Sequence, residues 1–235
     1  MPVTTVLFDL DGTLVPMDQD LFIGTYFKRI AAHLQPHGYD PEKLIKTIWY
    51  GTGAMIKNDG TRTNEQVFWE AAAQVYGEKI LEDQPLFDAF YQTKFDSIRE
   101  VCGFTPAAAE TVRSLKQRGF RVALATNPVF PSLATEHRIR WAGLSPDDFE
   151  LYTTYENICF SKPNPDYYRA ILQKLGLSPD ECLMVGNDVD DDMVAATLGM
   201  QVFLLTDCLI NKKEADISPY PRGGFDELNA FLAAL

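Results

Sequence analysis

The sequence predicts an α/β protein, a doubly wound parallel sheet with an all-helical segment inserted into it. Three observations carry that prediction. Short β-rich apolar runs end in polar turns, they alternate with amphipathic stretches after residue 103, and residues 16–103 show helical periodicity with no strand of their own. With 46% hydrophobic and 23% charged residues in a chain of 235, the composition is that of a globular protein, and disorder as the main state is excluded.

The first run, Thr4-Thr5-Val6-Leu7-Phe8, is closed by the turn Asp9-Leu10-Asp11-Gly12-Thr13 and reads as a buried strand feeding a loop. From residue 18 to about 99 the pattern lengthens into amphipathic stretches broken at 35–38, 51–63, 77 and 85, a helical block. Thr105-Pro106 then opens a helix that Lys116, Arg118 and Gly119 close. A strand is expected at 121–125, a helix at 131–141, a short strand at 151–154 and a helix at 165–175, stopped by Gly176. Ser178-Pro179-Asp180-Glu181 has the form of a capping box on a single turn. Strand 182–185, helix 191–198, strand 202–205 and helix 225–235 complete the alternation, which implies right-handed crossovers and helices on both sheet faces. The core is therefore assigned to 1–15 and 104–235, and 16–103 is an insertion after the first strand.

The 21 basic and 33 acidic residues give 21 − 33 = −12, and no basic stripe offsets this, so nucleic acid is not an expected partner. No apolar run approaches the ~18 residues that span a bilayer, so no membrane association is expected. The amino terminus lacks a secretory pattern, and Cys102, Cys159, Cys182 and Cys208 are scattered without a Cys-x-x-Cys pair. Reduced thiols and a cytoplasmic location follow as expectations.

In an open parallel sheet, ligands bind at the carboxyl ends of the strands. Three of those ends carry chemistry. Asp9 and Asp11 are two apart, so in extended chain both face one pocket while Leu10 faces away, and two such carboxylates call for a cation such as Mg²⁺. The second end is Thr126-Asn127-Pro128, a hydroxyl and an amide followed by backbone amides leading to a helix, a group suited to an anionic oxygen. Gly186-Asn187-Asp188-Val189-Asp190-Asp191-Asp192 is the third, with four aspartates within five positions. Between the last two lies Ser161-Lys162-Pro163-Asn164-Pro165, where two prolines stiffen the chain around one lysine. Carboxylates, a hydroxyl, a lysine and an acidic cradle are the parts that phosphoryl transfer through an aspartyl-phosphate needs.

The order of these four motifs resembles that of the haloacid dehalogenase-like hydrolase superfamily, in its phosphatase branch with a helical cap inserted after the first core strand. The resemblance covers about residues 1–15 and 104–210. It implies a Rossmann-like core in which Asp9 is nucleophile and metal ligand, and Asp11 is general acid, then base, with its carbonyl on the metal. Thr126 and Asn127 would hold phosphate oxygens and Lys162 would bridge nucleophile and phosphoryl group. The family usually reads Gly-Asp where this chain reads Gly186-Asn187-Asp188. Either Asn187 takes the ligand position, with Asp188 or Asp192 supplying charge, or the register shifts by one; Asp188 is favoured as ligand with Asp192 supporting it. A carboxylate at Asp11 implies phosphate ester chemistry.

The expectation is thus a Mg²⁺-dependent phosphatase acting on a small phosphorylated metabolite, as a monomer or homodimer. Its rivals are a phosphomutase of the same fold and a non-catalytic protein that binds a phosphate ligand. Asp190 and Asp191 are expected to face solvent, His33 and His37 to be unrelated surface residues, and Trp49, Trp69 and Trp141 to be core. Lys57 and Arg62, in and beside the loop 51–60, are expected to reach the substrate.

Overall fold

A computed structural model describes residues 2–235. The elements, in chain order, are β1 (Thr5–Phe8), α1 (Gln19–Leu34), α2 (Pro41–Ile56), α3 (Asn64–Tyr76), α4 (Lys79–Glu82), α5 (Gln84–Thr93), α6 (Pro106–Gln117), β2 (Arg121–Leu124), α7 (Ser132–Trp141), α8 (Pro165–Leu175), β3 (Cys182–Gly186), β4 (Gln201–Leu205), β5 (Arg222–Gly223) and α9 (Phe225–Ala233). The sheet runs β2-β1-β3-β4-β5 with every pair parallel. Because the chain goes from β1 out to β2 and then returns past β1 to β3, the topological switch point lies between β1 and β3. Asp9 and the Gly186–Asp192 loop leave the sheet there.

All four β1 residues are buried, as in a strand covered on both faces. Val6 and Phe8 pack with Val112, Ile139 and Leu228 on one side, whereas Leu7 packs with Tyr167, Ile171 and Met184 on the other. α6, α7 and α9 therefore cover one face, and α8 the opposite one. The helical insert continues the first of these cores. Phe22 of α1 meets Phe95, Phe130 and Trp141 edge-on at 6.1–6.5 Å, and Phe95 stacks on Trp141 at 5.5 Å.

Local signals explain the insert's boundaries. Asp18 accepts from the Leu21 amide at 3.0 Å and Asp40 from the Lys43 amide at 2.8 Å, while Thr63 and Gln66 cap each other's backbone at the start of α3. The insert is tied back to the sheet at that same point. Asn64, fully buried, reaches the Pro128 carbonyl (3.1 Å), the Phe160 carbonyl (3.3 Å) and the Ser161 hydroxyl (3.1 Å) with Nδ2, and accepts from Asn58 at 2.8 Å.

Several expectations need correction. The strand at 151–154 is one bridge, Tyr152 to Leu124, because Asn157 Oδ1 caps the Thr154 amide and turns the chain away from β2. At 191–198 the helix is a 3-10 segment from Met193 to Leu198; Gly199, at φ 92°, stops the chain before two α-turns can form. Residues 51–56 are not loop but the end of α2. Trp49 is 54% exposed, unlike Trp69 and Trp141, and His33 Nε2 donates to the Leu86 carbonyl at 3.1 Å. All four cysteines are free thiols, and no helix among the described residues is long and apolar enough to cross a membrane.

Replacing Asn64 by Ala leaves buried carbonyls without their donor. Urea denaturation should show a loss of about 1–3 kcal/mol.

Candidate active site

A cavity of about 310 Å³ opens at the carboxyl ends of β1 and β3, with Met17, Gln19, Phe22 and Ile23 of the insert forming its far wall. It gathers Asp9, Asp11, Thr126, Asn127, Lys162, Asn187, Asp188 and Asp192, all the site residues of the four motifs. β1 and β3 deliver the acids because their register sets Phe8 against Val185, so the two loops leave the sheet side by side. The Asp9 amide bonds the Val185 carbonyl at 2.9 Å, which fixes the first carboxylate at the sheet's edge. Leu10 is fully buried and faces away, as the alternation requires.

Lys162 is the central cation. Its Nζ donates to Asp9 Oδ1 at 2.9 Å and to Asp192 Oδ1 at 2.6 Å, with only 2% of the residue exposed. Burial alone would lower its pKa, but Asp192 and Asp9 outweigh that and hold it well above the ordinary lysine value, so the proton stays on nitrogen. Asp192 Oδ2 accepts from the Asp188 amide at 2.9 Å, so both its oxygens are engaged.

Arg138, which the sequence reading did not single out, pairs with Asp11 Oδ2 and lies 4.7 Å over the Phe130 ring. It is fully buried on α7 beside Ala134, Ile139 and Trp141. No sequence signal marks it, because Ser132–Trp141 has no distinct apolar stripe against which a charge would stand out. Burial raises the Asp11 pKa, Arg138 opposes that, and the neighbouring Asp9 adds to it; the net effect is upward. Asp11 Oδ1 is buried with no hydrogen-bond partner.

Thr126 is buried, and its carbonyl accepts from the Thr153 hydroxyl (2.6 Å) and the Tyr167 hydroxyl (2.8 Å), which pins the end of β2. Asn127 donates to Asp191 Oδ2 at 3.3 Å and leaves Oδ1 unpaired; reversing that amide would present a donor instead. Asp191 is not turned to solvent as expected. Burial first, then repulsion from Asp188 and Asp9, pushes its pKa up to about 6. Asp190 also lines the cavity, but its carboxylate pairs with the exposed Lys213 at 3.0 Å.

The amides expected to follow Asn127 do not start a helix there. α7 begins at Ser132, whose amide is taken by Glu156 at 2.9 Å. Lys57 and Arg62 line neither this cavity nor the neighbouring one, and Arg62 pairs with Glu70.

Asn187 is 1% exposed and ties loops together, its Oδ1 accepting from Thr13 Oγ1 at 3.0 Å and its Nδ2 donating to the Cys208 carbonyl at 2.7 Å. It also lies where a side chain on Gly12 would have to go, and Gly12 has φ 90°, so only glycine fits that turn. Asp188 Oδ1 accepts from the Asp190 and Asp191 amides at 2.8 and 3.0 Å, leaving Oδ2 without a hydrogen bond. This donor set fits a hard divalent cation. Asp9, Asp11, Asp188, Asp191 and Asp192 face only Lys162 and Arg138 as buried cations, and Asp11 Oδ1 is an orphaned acceptor. Among the described residues, no three His, Cys, Asp or Glu side chains form a ready-made metal group.

Lys162→Met strands two buried carboxylates. Guanidinium denaturation should register a loss of about 3–5 kcal/mol.

The pyrophosphatase PpaX of Bacillus pumilus is 27% identical over 200 residues, covering 84% of this chain and 80% of the relative, and that of Bacillus cereus is 27% identical over 191 residues, covering 81% and 77%. Among solved structures, a 2-haloacid dehalogenase from Pseudomonas syringae superposes with a TM-score of 0.66 at 20% identity over 99% of both chains. A predicted phosphoglycolate phosphatase from Haemophilus somnus gives 0.58 at 20% identity over 98% of each. These structural likenesses establish a shared fold. The haloacid dehalogenase-like hydrolase model matches residues 3–199, spanning β1, the helical insert and the loop after β3. A chain matched over that length, with its four motifs meeting in one cavity at the sheet's switch point, belongs to the haloacid dehalogenase-like hydrolases.

Proposed function

We propose that the protein is a Mg²⁺-dependent phosphatase that hydrolyses a small phosphorylated metabolite through an aspartyl-phosphate on Asp9. The observation that carries this reading is the buried Lys162 bridge between Asp9 and Asp192, with Asp11 opening into the same cavity.

Asp9 Oδ1 is held by Lys162, so the other oxygen attacks phosphorus in line with the leaving oxygen. Lys162, Thr126 and Asn127 neutralise or bond the phosphoryl oxygens. Asp11, with its pKa raised by burial and by Asp9, gives its proton to the leaving alcohol. The same carboxylate then takes a proton from a water molecule, which attacks the aspartyl-phosphate and frees phosphate and Asp9. Asp9, the Asp11 carbonyl and Asp188 would hold the cation, with Asp192 fixing the Asp188 loop and Asn187 the Gly12 turn. When bound, Mg²⁺ offsets the negative charge of the phosphoryl group against the carboxylates. The insert's α1 closes the far side and restricts water.

The PpaX relatives favour pyrophosphate as a second substrate reading. Release of phosphate from pyrophosphate and from alkyl and aryl phosphates, compared in one assay, separates the two.

Asp9→Asn should lower kcat for an aryl phosphate by at least about 10³-fold with an unchanged far-ultraviolet spectrum. Asp11→Asn should cost about 10²–10⁴-fold in kcat. Excess chelator should abolish turnover by the wild-type protein, and added Mg²⁺ should restore it; turnover that survives chelation refutes the metal's role.

A further inference from the structure

A second cavity, of about 140 Å³, lies between the helical insert and core residues Val129, Phe130, Pro131 and Tyr155, beside the catalytic one. Ile23, Val129 and Phe130 line both, so the two adjoin along these side chains. Nothing in the proposed chemistry uses this space. Nine of its fifteen lining residues are aromatic, among them Trp49, Trp69, Phe87 and Tyr155, and Asp88 is the one charged residue in the wall.

The electrostatics of this wall are lopsided. Aromatic faces carry negative potential, and Asp88 adds a formal charge. Among the described residues no Lys, Arg or His makes an ion pair with Asp88, nor with Glu156 or Glu65 close by. Burial, followed by Glu156, pushes the Asp88 pKa up, as befits a carboxylate with no cation of its own. The polar tips nearby are otherwise paired: the Tyr26 and Tyr91 hydroxyls bond each other at 2.8 Å. Trp49 sits at the entrance, 54% exposed and packed against Phe27 with ring centroids 5.3 Å apart. A large aromatic residue left open to solvent over a cavity is a wall in want of an occupant.

An uncharged apolar group would fill the space but leave Asp88 uncompensated, whereas a hydrophilic ammonium would give up its hydration to aromatic walls. An alkylated ammonium satisfies both, being apolar on its surface and positive throughout. We propose that the leaving group of the substrate ends in such a cation, with the phosphate at Asp9 and the ammonium in the aromatic cavity against Asp88. The substrate class is thus a phosphate monoester of an amino alcohol with a tertiary or quaternary nitrogen. This rests on the phosphatase reading and names the class of ester.

The test uses the full-length protein with Mg²⁺ and a series of ω-(trimethylammonio)alkyl phosphates, set against their ω-tert-butyl isosteres, which have the same shape without the charge. At least one chain length should show a kcat/KM roughly tenfold higher for the cation than for its isostere. Asp88→Asn should collapse that ratio toward unity, and Trp49→Leu, at an exposed position that does not hold the core, should lower it as well. Equal rates for cation and isostere at every length, or a ratio that Asp88→Asn leaves intact, overturn the proposal. Aryl phosphate hydrolysis without any such preference refutes the cation site alone; no release from any ester refutes it together with the phosphatase reading.

Discussion

Five carboxylates converge on the gap between β1 and β3, and one buried ammonium makes that convergence tolerable. Lys162 stands between Asp9 and Asp192, one from each loop, and its charge is what lets two strands placed side by side end in acid. A carboxylate taken from water without a partner would protonate or force the loop outward. Asp192 joins that pairing to the Asp188–Asp192 loop, one oxygen accepting from Lys162 and the other from the Asp188 amide. Arg138 performs the same service for Asp11 from the opposite side. Two cations thus answer three of the five acids, Lys162 for Asp9 and Asp192 and Arg138 for Asp11.

How much of this could be read in the sequence follows from how local each signal is. Strand β1 and its Asp9-Leu10-Asp11 turn are legible because burial on both faces and the two-residue alternation act within a few residues. α8 has proline at its start and Gly176 past its end, and its limits could be read from them alone. Three of the four motifs were legible as a set because each closes a strand, and a parallel sheet brings all strand ends to one edge, whereas Lys162 stands in the loop before α8. Residues 151–154 and 191–198 depart from their expected forms for a shared reason: each is set at its end, by the Asn157 cap in one and by Gly199 in the other.

Arg138, Asn64 and the inward Asp191 were illegible in another sense. Each derives its role from a contact across the fold: Arg138 with Asp11, Asn64 with the Phe160-Ser161 turn, and Asp191 with Asn127. No spacing rule reaches over such separations. Trp49 and Arg62 show the converse, since helical periodicity places residues on a face but does not say whether that face meets core, solvent or a ligand. Asn187 differs again, because its residue type suggested a weakened ligand, whereas its two amide bonds make it a brace for the Gly12 turn.

The aromatic seam through Phe22, Phe95, Phe130 and Trp141 bears on how this protein can be divided. Phe22 and Phe95 come from the insert, Phe130 and Trp141 from the sheet side, and all four share one continuous apolar core. Cutting out residues 16–103 would leave Phe130 and Trp141 facing water and would remove the ring that stacks on Trp141. The parallel sheet is thus not a module that can be lifted free of its helices. Any shortened version would need new polar residues along that seam, and a swap of the insert between relatives would have to carry the facing rings with it.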